Sequence, residues 1–225
     1  MVRLGGDDWL APVKGAKIES EGRLVALAQG KIVCVGLNYL DHVTERDPNR
    51  KIPDEPVLFM KPTSSVIGPG ETIAIANRSI RPTTKRSWHG DRKDGARCSP
   101  FGMRNYIAGF TCANDVSDRT LQKKDGQWVR AKGFHTYCPV GPWIETELDL
   151  AQAVVQSRLN GELRQNQAVS TMHFPVPQLV EYISHIMTLD PGDLILTGTP
   201  FNVGPMKAGD QVEVSVSGIG TWRIR

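Results

Sequence analysis

The hydrophobic and polar positions predict a mainly β chain with a few short helices. Residues 31–36 (KIVCVG) and 57–60 (VLFM) are short apolar runs, and Lys61-Pro62 ends the second. Such runs, bounded by turn residues, read as buried strands. Residues 106–113 and 194–197 read the same way, while 211–217 alternates Val212, Val214 and Val216 with polar neighbours, as a half-buried strand does. Residues 154–164 predict a hairpin, because Asn160-Gly161 supplies the positive φ angles of a type I′ turn. Helical signals are fewer. Residues 38–47 suit a short helix, and 178–187 places Leu179, Tyr182, Ile183 and Ile186 at the spacing of one helix face. Ile67-Gly68-Pro69-Gly70-Glu71 and Asp190-Pro191-Gly192-Asp193 read as turns. Strands and helices do not alternate regularly, so the fold class expected is α+β, mainly β, and not a parallel βαβ sheet.

One stretch departs from this pattern. Residues 80–103 have no period and little apolar content, which is unusual inside a compact domain. The same stretch distorts the charge balance. The 225 residues carry 27 Lys+Arg against 24 Asp+Glu, for a net +3. Residues 78–104 hold eight basic and two acidic residues, so the rest of the chain has 19 against 22 and is net −3. An acidic protein with one basic insert is a different object from a uniformly basic one. The basic stretch has one Trp and one Phe and no reader motif, so no nucleic-acid partner is expected. No run of about 18 apolar residues is present and the N-terminus MVRLGGDDWL lacks a long apolar core, so neither a membrane span nor a signal peptide is expected. Cys34, Cys98, Cys112 and Cys138 show no CxxC spacing and read as reduced thiols of a cytoplasmic protein.

Three strings carry the chemistry: GLNYLDH with Glu45 three residues on; AGFTCANDVSDRTLQ; and KGFHTYCPVGPW, followed much later by GDLILTGTPFNVGPMKAGDQVEV. In this order and spacing they resemble the fumarylacetoacetate hydrolase family, in particular its small acylpyruvase-like members. The resemblance runs from about residue 31 to the C-terminus, with 1–30 as a lead-in and 31–225 as one catalytic domain. It implies a mixed β-roll or sandwich with a few short helices. It also implies a homodimer, a divalent cation (magnesium, or manganese or calcium), and a small 1,3-dicarbonyl acid as substrate. Asp115 matches a metal aspartate, though by itself it also suits a helix cap. His42 and Glu45 match a water-activating pair; at i,i+3 on one turn they also suit an exposed ion pair. Lys132 matches a lysine that steadies negative charge on the substrate. Gln122, Gly198 and Thr199 match substrate-contacting positions, and Lys61 stands in an FxKP string with either a structural or a substrate role. His135, Arg119-Thr120 and Leu37 stand where the family usually has Asp, Arg-Asp and Arg, departures that bear on substrate preference.

The largest departure is a missing string. The family holds its metal with two glutamates of an E-x-E string of the form DYEAELAVVIGK, before the aspartate. No glutamate occurs from Thr72 through Asp115. One carboxylate holds a hard cation weakly, because affinity follows ligand number and charge. The codons of Pro82–His89, read from the third base of each triplet, allow Asp-Tyr-Glu-Ala-Glu-Leu-Ala. From His89 onward, reading from the second base allows Met-Val-Ile-Gly-Lys and, farther on, Arg-Asp-Val-Pro. About 81–103 therefore reads as a segment translated out of frame, with a divergent loop as the alternative and a central strand pair of the family sheet expected to be lost there.

The function expected is metal-dependent hydrolysis of a C–C bond in acylpyruvate-like acids through a stabilised enolate. The rivals are a β-keto-acid decarboxylase or hydroxymuconate-type isomerase on the same scaffold, and an inactive member lacking its E-x-E ligands.

Overall fold

The computed structural model describes residues 30–45, 47–68, 70–75, 82–83, 86–87, 90–91 and 106–224. Cys98 and most of residues 81–103 lie outside the described residues. The strands are β1 (Ile32–Gly36), β2 (Val57–Lys61), β3 (Val66–Ile67), β4 (Pro82–Thr83), β5 (Arg86–Ser87), β6 (Gly90–Asp91), β7 (Ile107–Asn114), β8 (Ser117–Asp118), β9 (Cys138–Glu145), β10 (Val154–Leu159), β11 (Glu162–Ala168), β12 (Leu194–Leu196), β13 (Val212–Val216) and β14 (Gly220–Ile224). The helices are α1 (Leu40–Thr44), α2 (Arg119–Asp125), α3 (Val129–Lys132) and α4 (Val176–Ile186). The α+β, mainly β architecture is as the pattern predicts.

Three sheets carry the fold: β12-β1-β2, β11-β10-β13-β14, and β3-β9-β7-β5 with β6 also on β7. Every residue of β1 is buried, which suits a centre strand rich in β-branched side chains. β1 pairs in parallel with β12, Ile32 opposite Leu194 and Cys34 opposite Leu196. The two chains therefore leave the sheet at the same end and side by side, one as Leu37–Glu45 and the other as Thr197–Asn202. That register places two of the sequence strings next to each other.

The hairpin β10–β11 turns at Asn160 (φ 52°) and Gly161 (φ 83°), both in the left-handed region a type I′ turn needs. In β13, Val212, Val214 and Val216 are buried and their neighbours half-exposed, as the alternation predicts. The core side of α4 differs from the expected one. Val176, Leu179, Val180 and Ile183 are buried, whereas Ile186 is 55% exposed. The helix begins two residues earlier than its strongest pattern, so the i, i+3, i+4, i+7 stripe starts at Val176 and runs out before Ile186. Each of these buried aliphatic side chains contributes about 1.5–3 kcal/mol by leaving water.

β9 and β14 escape the pattern. β9 (CPVGPWIE) carries two prolines and a glycine, which mask its strand signal. Nor is strand pairing lost in the basic segment. Arg86 and Ser87 pair with Asn114 and Ala113, Gly90 and Asp91 with Gly109 and Ile107, and Pro82 and Thr83 with Asp118 and Ser117. Ladder bonds use backbone groups that every residue but proline carries in full, so short pairings survive a change of side chains. No helix among the described residues is long and apolar enough to cross a membrane.

Candidate active site

The residues marked by the sequence fall into three groups. The first surrounds a cleft of about 240 Å3 lined by His42, Glu45, Gln122, Arg119, Arg50 and Lys123, with Leu37, Val43 and Trp128 as its apolar wall. His42 leaves α1 and Glu45 caps its C-terminal end. His42 Nδ1 lies 2.8 Å from Glu45 Oε2, so the i,i+3 spacing does bring the imidazole and carboxylate together. The side chains are 8% and 22% exposed, which makes them a partly desolvated pair rather than a solvated surface one. Arg119 Nη1 donates to Gln122 Oε1 at 2.6 Å, holding the carboxamide with its NH2 turned away from the guanidinium. Of the positions that depart from the family pattern, Leu37 lines this cleft, beside Arg119, which keeps the family's arginine; His135 instead meets the Ser64 carbonyl at 3.2 Å.

The second group is a buried ionic cluster. Lys61 ends β2 and its Nζ donates to Asp115 Oδ1 at 2.8 Å and to the Val116 carbonyl at 3.1 Å. Lys132 ends α3 and its Nζ donates to Asp115 Oδ2 at 2.5 Å and to Ser117 Oγ at 2.7 Å. Both lysine side chains are 0% exposed and Asp115 is 4%. The Lys132 ammonium also sits 4.2 Å from the Phe59 ring centre and 5.7 Å from that of Trp128, a cation–π contact on each face. Burial pushes the Lys132 amine down to about 8 against the attraction of Asp115, and Lys61 pushes the same way. Trp128 links this cluster to the cleft: it lines the cleft and its ring faces Lys132.

Asp115 is not the helix cap. That task falls to Asp118, whose Oδ1 accepts from the Thr120 and Leu121 backbone N–H groups at 2.9 and 3.0 Å. Asp115 is left to the two ammoniums. This arrangement does not fit a divalent cation. Both carboxylate oxygens already accept from ammonium groups, the cluster is net positive, and among the described residues no three His, Cys, Asp or Glu side chains are placed to hold a metal ion. A hard ion needs several oxygen ligands and net negative charge.

The third group holds the loop after β12. Thr199 is 1% exposed, and its hydroxyl accepts from Gln165 Nε2 at 3.1 Å. Gly198 has φ 122°, and a Cβ there would come within 2.8 Å of Asn38 Cβ. The close approach that Gly198 permits is thus to Asn38. Asn38 is fully buried and staples two segments: its Nδ2 donates to the Thr197 carbonyl at 2.7 Å and to the Phe174 carbonyl at 3.0 Å, and its Oδ1 accepts from Phe174 N at 2.7 Å. Sequence reasoning missed Asn38, Arg50, Gln165 and Asn202. Asn38 and Asn202 stand inside the quoted strings, but nothing in residue type or spacing marks a staple whose partners are more than 130 residues away. Cys34, Cys112 and Cys138 are buried cysteines outside any disulfide, and burial pushes Cys138 up to about 12.

Comparison with known proteins identifies the family. Residues 31–225 match the family described as fumarylacetoacetate (FAA) hydrolase, C-terminal. A 2,4-didehydro-3-deoxy-L-rhamnonate hydrolase from Sphingomonas sp. (strain SKA58) is 38% identical, over 95% of this chain and 82% of that protein. Two solved structures superpose well. The 5-carboxymethyl-2-hydroxymuconate delta-isomerase from Mycobacterium smegmatis has a TM-score of 0.80 at 38% identity, covering 88% of this chain and 78% of its own. The 2-hydroxyhepta-2,4-diene-1,7-dioate isomerase from Mycobacterium marinum has a TM-score of 0.78 at 41% identity, covering 88% and 74%. With β-rich fold, ordered strings and hydrolase and isomerase relatives in agreement, the chain belongs to the fumarylacetoacetate hydrolase family.

Proposed function

We propose that this protein cleaves a C–C bond in acylpyruvate-like 1,3-dicarbonyl acids by adding water to a ketone. The observation that carries the reading is the His42–Glu45 contact on the wall of a cleft whose other charged side chains are Arg50, Arg119 and Lys123. A carboxylate at Nδ1 orients the imidazole, so Nε2 is the nitrogen that takes a proton from water. Arg50, Arg119 and Lys123 suit an anionic substrate, and cations fixed in place beforehand stabilise charge as an enolate leaves. Gln122 offers donor and acceptor atoms to the substrate's polar end. Lys132 stands behind Trp128, where its ammonium adds positive potential to the same side of the cleft. The protein is expected to act as a homodimer.

The relatives favour a second reading on the same cleft, isomerisation of a hydroxymuconate-type diacid. Both structural neighbours above carry isomerase names, and three cations suit two carboxylates. Decarboxylation of a β-keto acid would use the same enolate.

The magnesium requirement is proposed for the in-frame form of the gene. The second glutamate of the shifted reading spans the Arg86 and Ser87 codons, and the backbone at these residues pairs with Asn114 and Ala113, beside Asp115. The buried Asn114 carboxamide has no hydrogen-bond partner among the described residues. An unmet buried amide costs about 1–3 kcal/mol, which is what an overwritten neighbouring strand leaves behind. Resequencing tests this part: DNA that encodes 81–103 intact in its present frame sinks it.

The enzymatic reading is tested by pyruvate release from acetylpyruvate, followed by NADH oxidation with lactate dehydrogenase. The chain as written, the chain with the E-x-E segment restored, and the restored chain with His42→Ala are compared. Pyruvate from the restored chain but neither of the others makes the chain as written an inactive member. With a hydroxymuconate-type diacid as the substrate, diene absorbance that shifts without pyruvate formation favours the isomerase. Equal rates with and without His42 refute the assigned base.

A further inference from the structure

Gln165, on β11, is 1% exposed and belongs to no part of the mechanism above. Its Nε2 lies 3.1 Å from Thr199 Oγ1, 2.8 Å from the Pro200 carbonyl and 3.0 Å from the Phe201 carbonyl. Its Oε1 accepts from Ser157 Oγ at 3.1 Å, on the facing strand β10. Two carbonyl acceptors fix the orientation of the carboxamide, because only its NH2 end donates. The preceding residue holds the same loop. Asn202, in the left-handed region at φ 65°, donates from Nδ2 to the Arg164 carbonyl at 2.6 Å. Two consecutive residues of β11 thus hold residues 199–202.

The far end of that loop reaches the base. The Asn202 backbone N–H donates to Glu45 Oε1 at 2.7 Å, while Glu45 Oε2 meets His42 Nδ1 at 2.8 Å. Both carboxylate oxygens are placed, one by the loop and one by the imidazole. Glu45 follows a helix of only five residues. So short a helix is marginal by itself and does not fix a side chain at its end. The Asn202 N–H supplies what α1 lacks.

We infer that Gln165 is a positioning residue for the His42–Glu45 pair: it holds residues 199–202 so that the Asn202 N–H fixes the Glu45 carboxylate and, through it, the His42 tautomer protonated at Nδ1. The tautomer follows because which ring nitrogen carries the proton is set by the hydrogen bond the other group offers. The inference rests on the proposed role of His42 as general base, but the tautomer is measured without any substrate.

The experiment uses the full chain labelled with 15N-histidine, with the His42 signals assigned by a His42→Gln variant. Long-range 1H–15N spectra at a pH where the ring is neutral should give, in the wild type, a protonated Nδ1 and an unprotonated Nε2. Gln165→Met keeps the side-chain length and removes the donors; it should shift at least a third of the population to the Nε2-protonated form. Ser157→Ala removes only the bond to Gln165 Oε1 and should give a smaller shift in the same direction. Asn202→Gly keeps the backbone N–H and the positive φ but removes the Nδ2 bond to the Arg164 carbonyl, so it too should give a smaller shift in the same direction. In whichever chain is active, Gln165→Met should lower kcat about 10-fold with KM within about 2-fold, the pattern of a misplaced group acting in the transition state. A folded Gln165→Met protein with the wild-type tautomer overturns the inference and leaves Gln165 a structural residue. If Gln165→Met does not fold, an unchanged tautomer in Ser157→Ala overturns it equally. Loss of the tautomer without activity in any version refutes the function proposed above and leaves the positioning role standing.

Discussion

Replacing Lys132 by methionine should change how the stability of this fold depends on pH. The wild-type ammonium is fully buried, and burial brings its pKa from the ordinary 10.5 down to about 8. The unfolded chain keeps the proton up to about 10.5. Between these values the unfolded state therefore binds one more proton than the folded state, and stability rises with pH. Below about pH 8 the folded protein bears the whole penalty of the buried charge; above about 10.5 it bears none. At about 1.4 kcal/mol per pH unit, the gain across the window is about 3 kcal/mol. Cys34 and Cys138 pull the other way, since burial raises both thiols and the unfolded chain releases their protons first. They are present in both proteins, so they cancel in the difference. Methionine keeps the packing against Phe59 and Trp128 and leaves Asp115 paired with Lys61. Guanidinium unfolding of both proteins from pH 7 to 10.5 gives the comparison. The wild-type stability minus that of Lys132→Met should climb by about 3 kcal/mol across the window. A difference that stays flat would refute the claim that this amine is held against its solvation.

Asp115→Asn leaves two ammoniums buried without their carboxylate and should cost about 3–5 kcal/mol at neutral pH by denaturant unfolding. Adding Lys61→Met to that variant should recover part of the loss; no recovery would mean that the cost is not electrostatic. Gly198→Ala forces a side chain into φ 122° and against Asn38, so the loop must shift. It should lower stability by about 1–3 kcal/mol and weaken pyruvate release from the restored chain; a variant as stable as the wild type refutes the assigned contact.

Much of the fold was legible in local pattern. The strand β1, the alternation in β13 and the Asn160-Gly161 turn depend on which face each side chain shows, and that is written in the period. The site was legible only in parts. His42 and Glu45 sit three residues apart, so one helical turn brings them together whatever the rest of the chain does. The cap offered as the alternative role of Asp115 belongs to Asp118, because both aspartates precede a helical run and only the backbone geometry chooses between them. The core stripe of α4 falls one turn earlier than its strongest pattern, since Val176, outside that window, starts it.

Sequence alone determined the family, the mainly β class, the i,i+3 contact of His42 with Glu45, and the absence of glutamate between Thr72 and Asp115. Each is a matter of residue type, order or short spacing. Tertiary structure alone decided which groups Asp115 pairs with. Two lysines from strands and helices distant in the chain close on it, because a buried carboxylate without a metal ligand set must find another positive charge. It also decided that β11 reaches Glu45 through residues 199–202, since parallel pairing of β1 with β12 brings Asn202 to Glu45 across 157 positions of sequence. Contacts of that length follow from sheet register, and register is settled only when all the strands pack together.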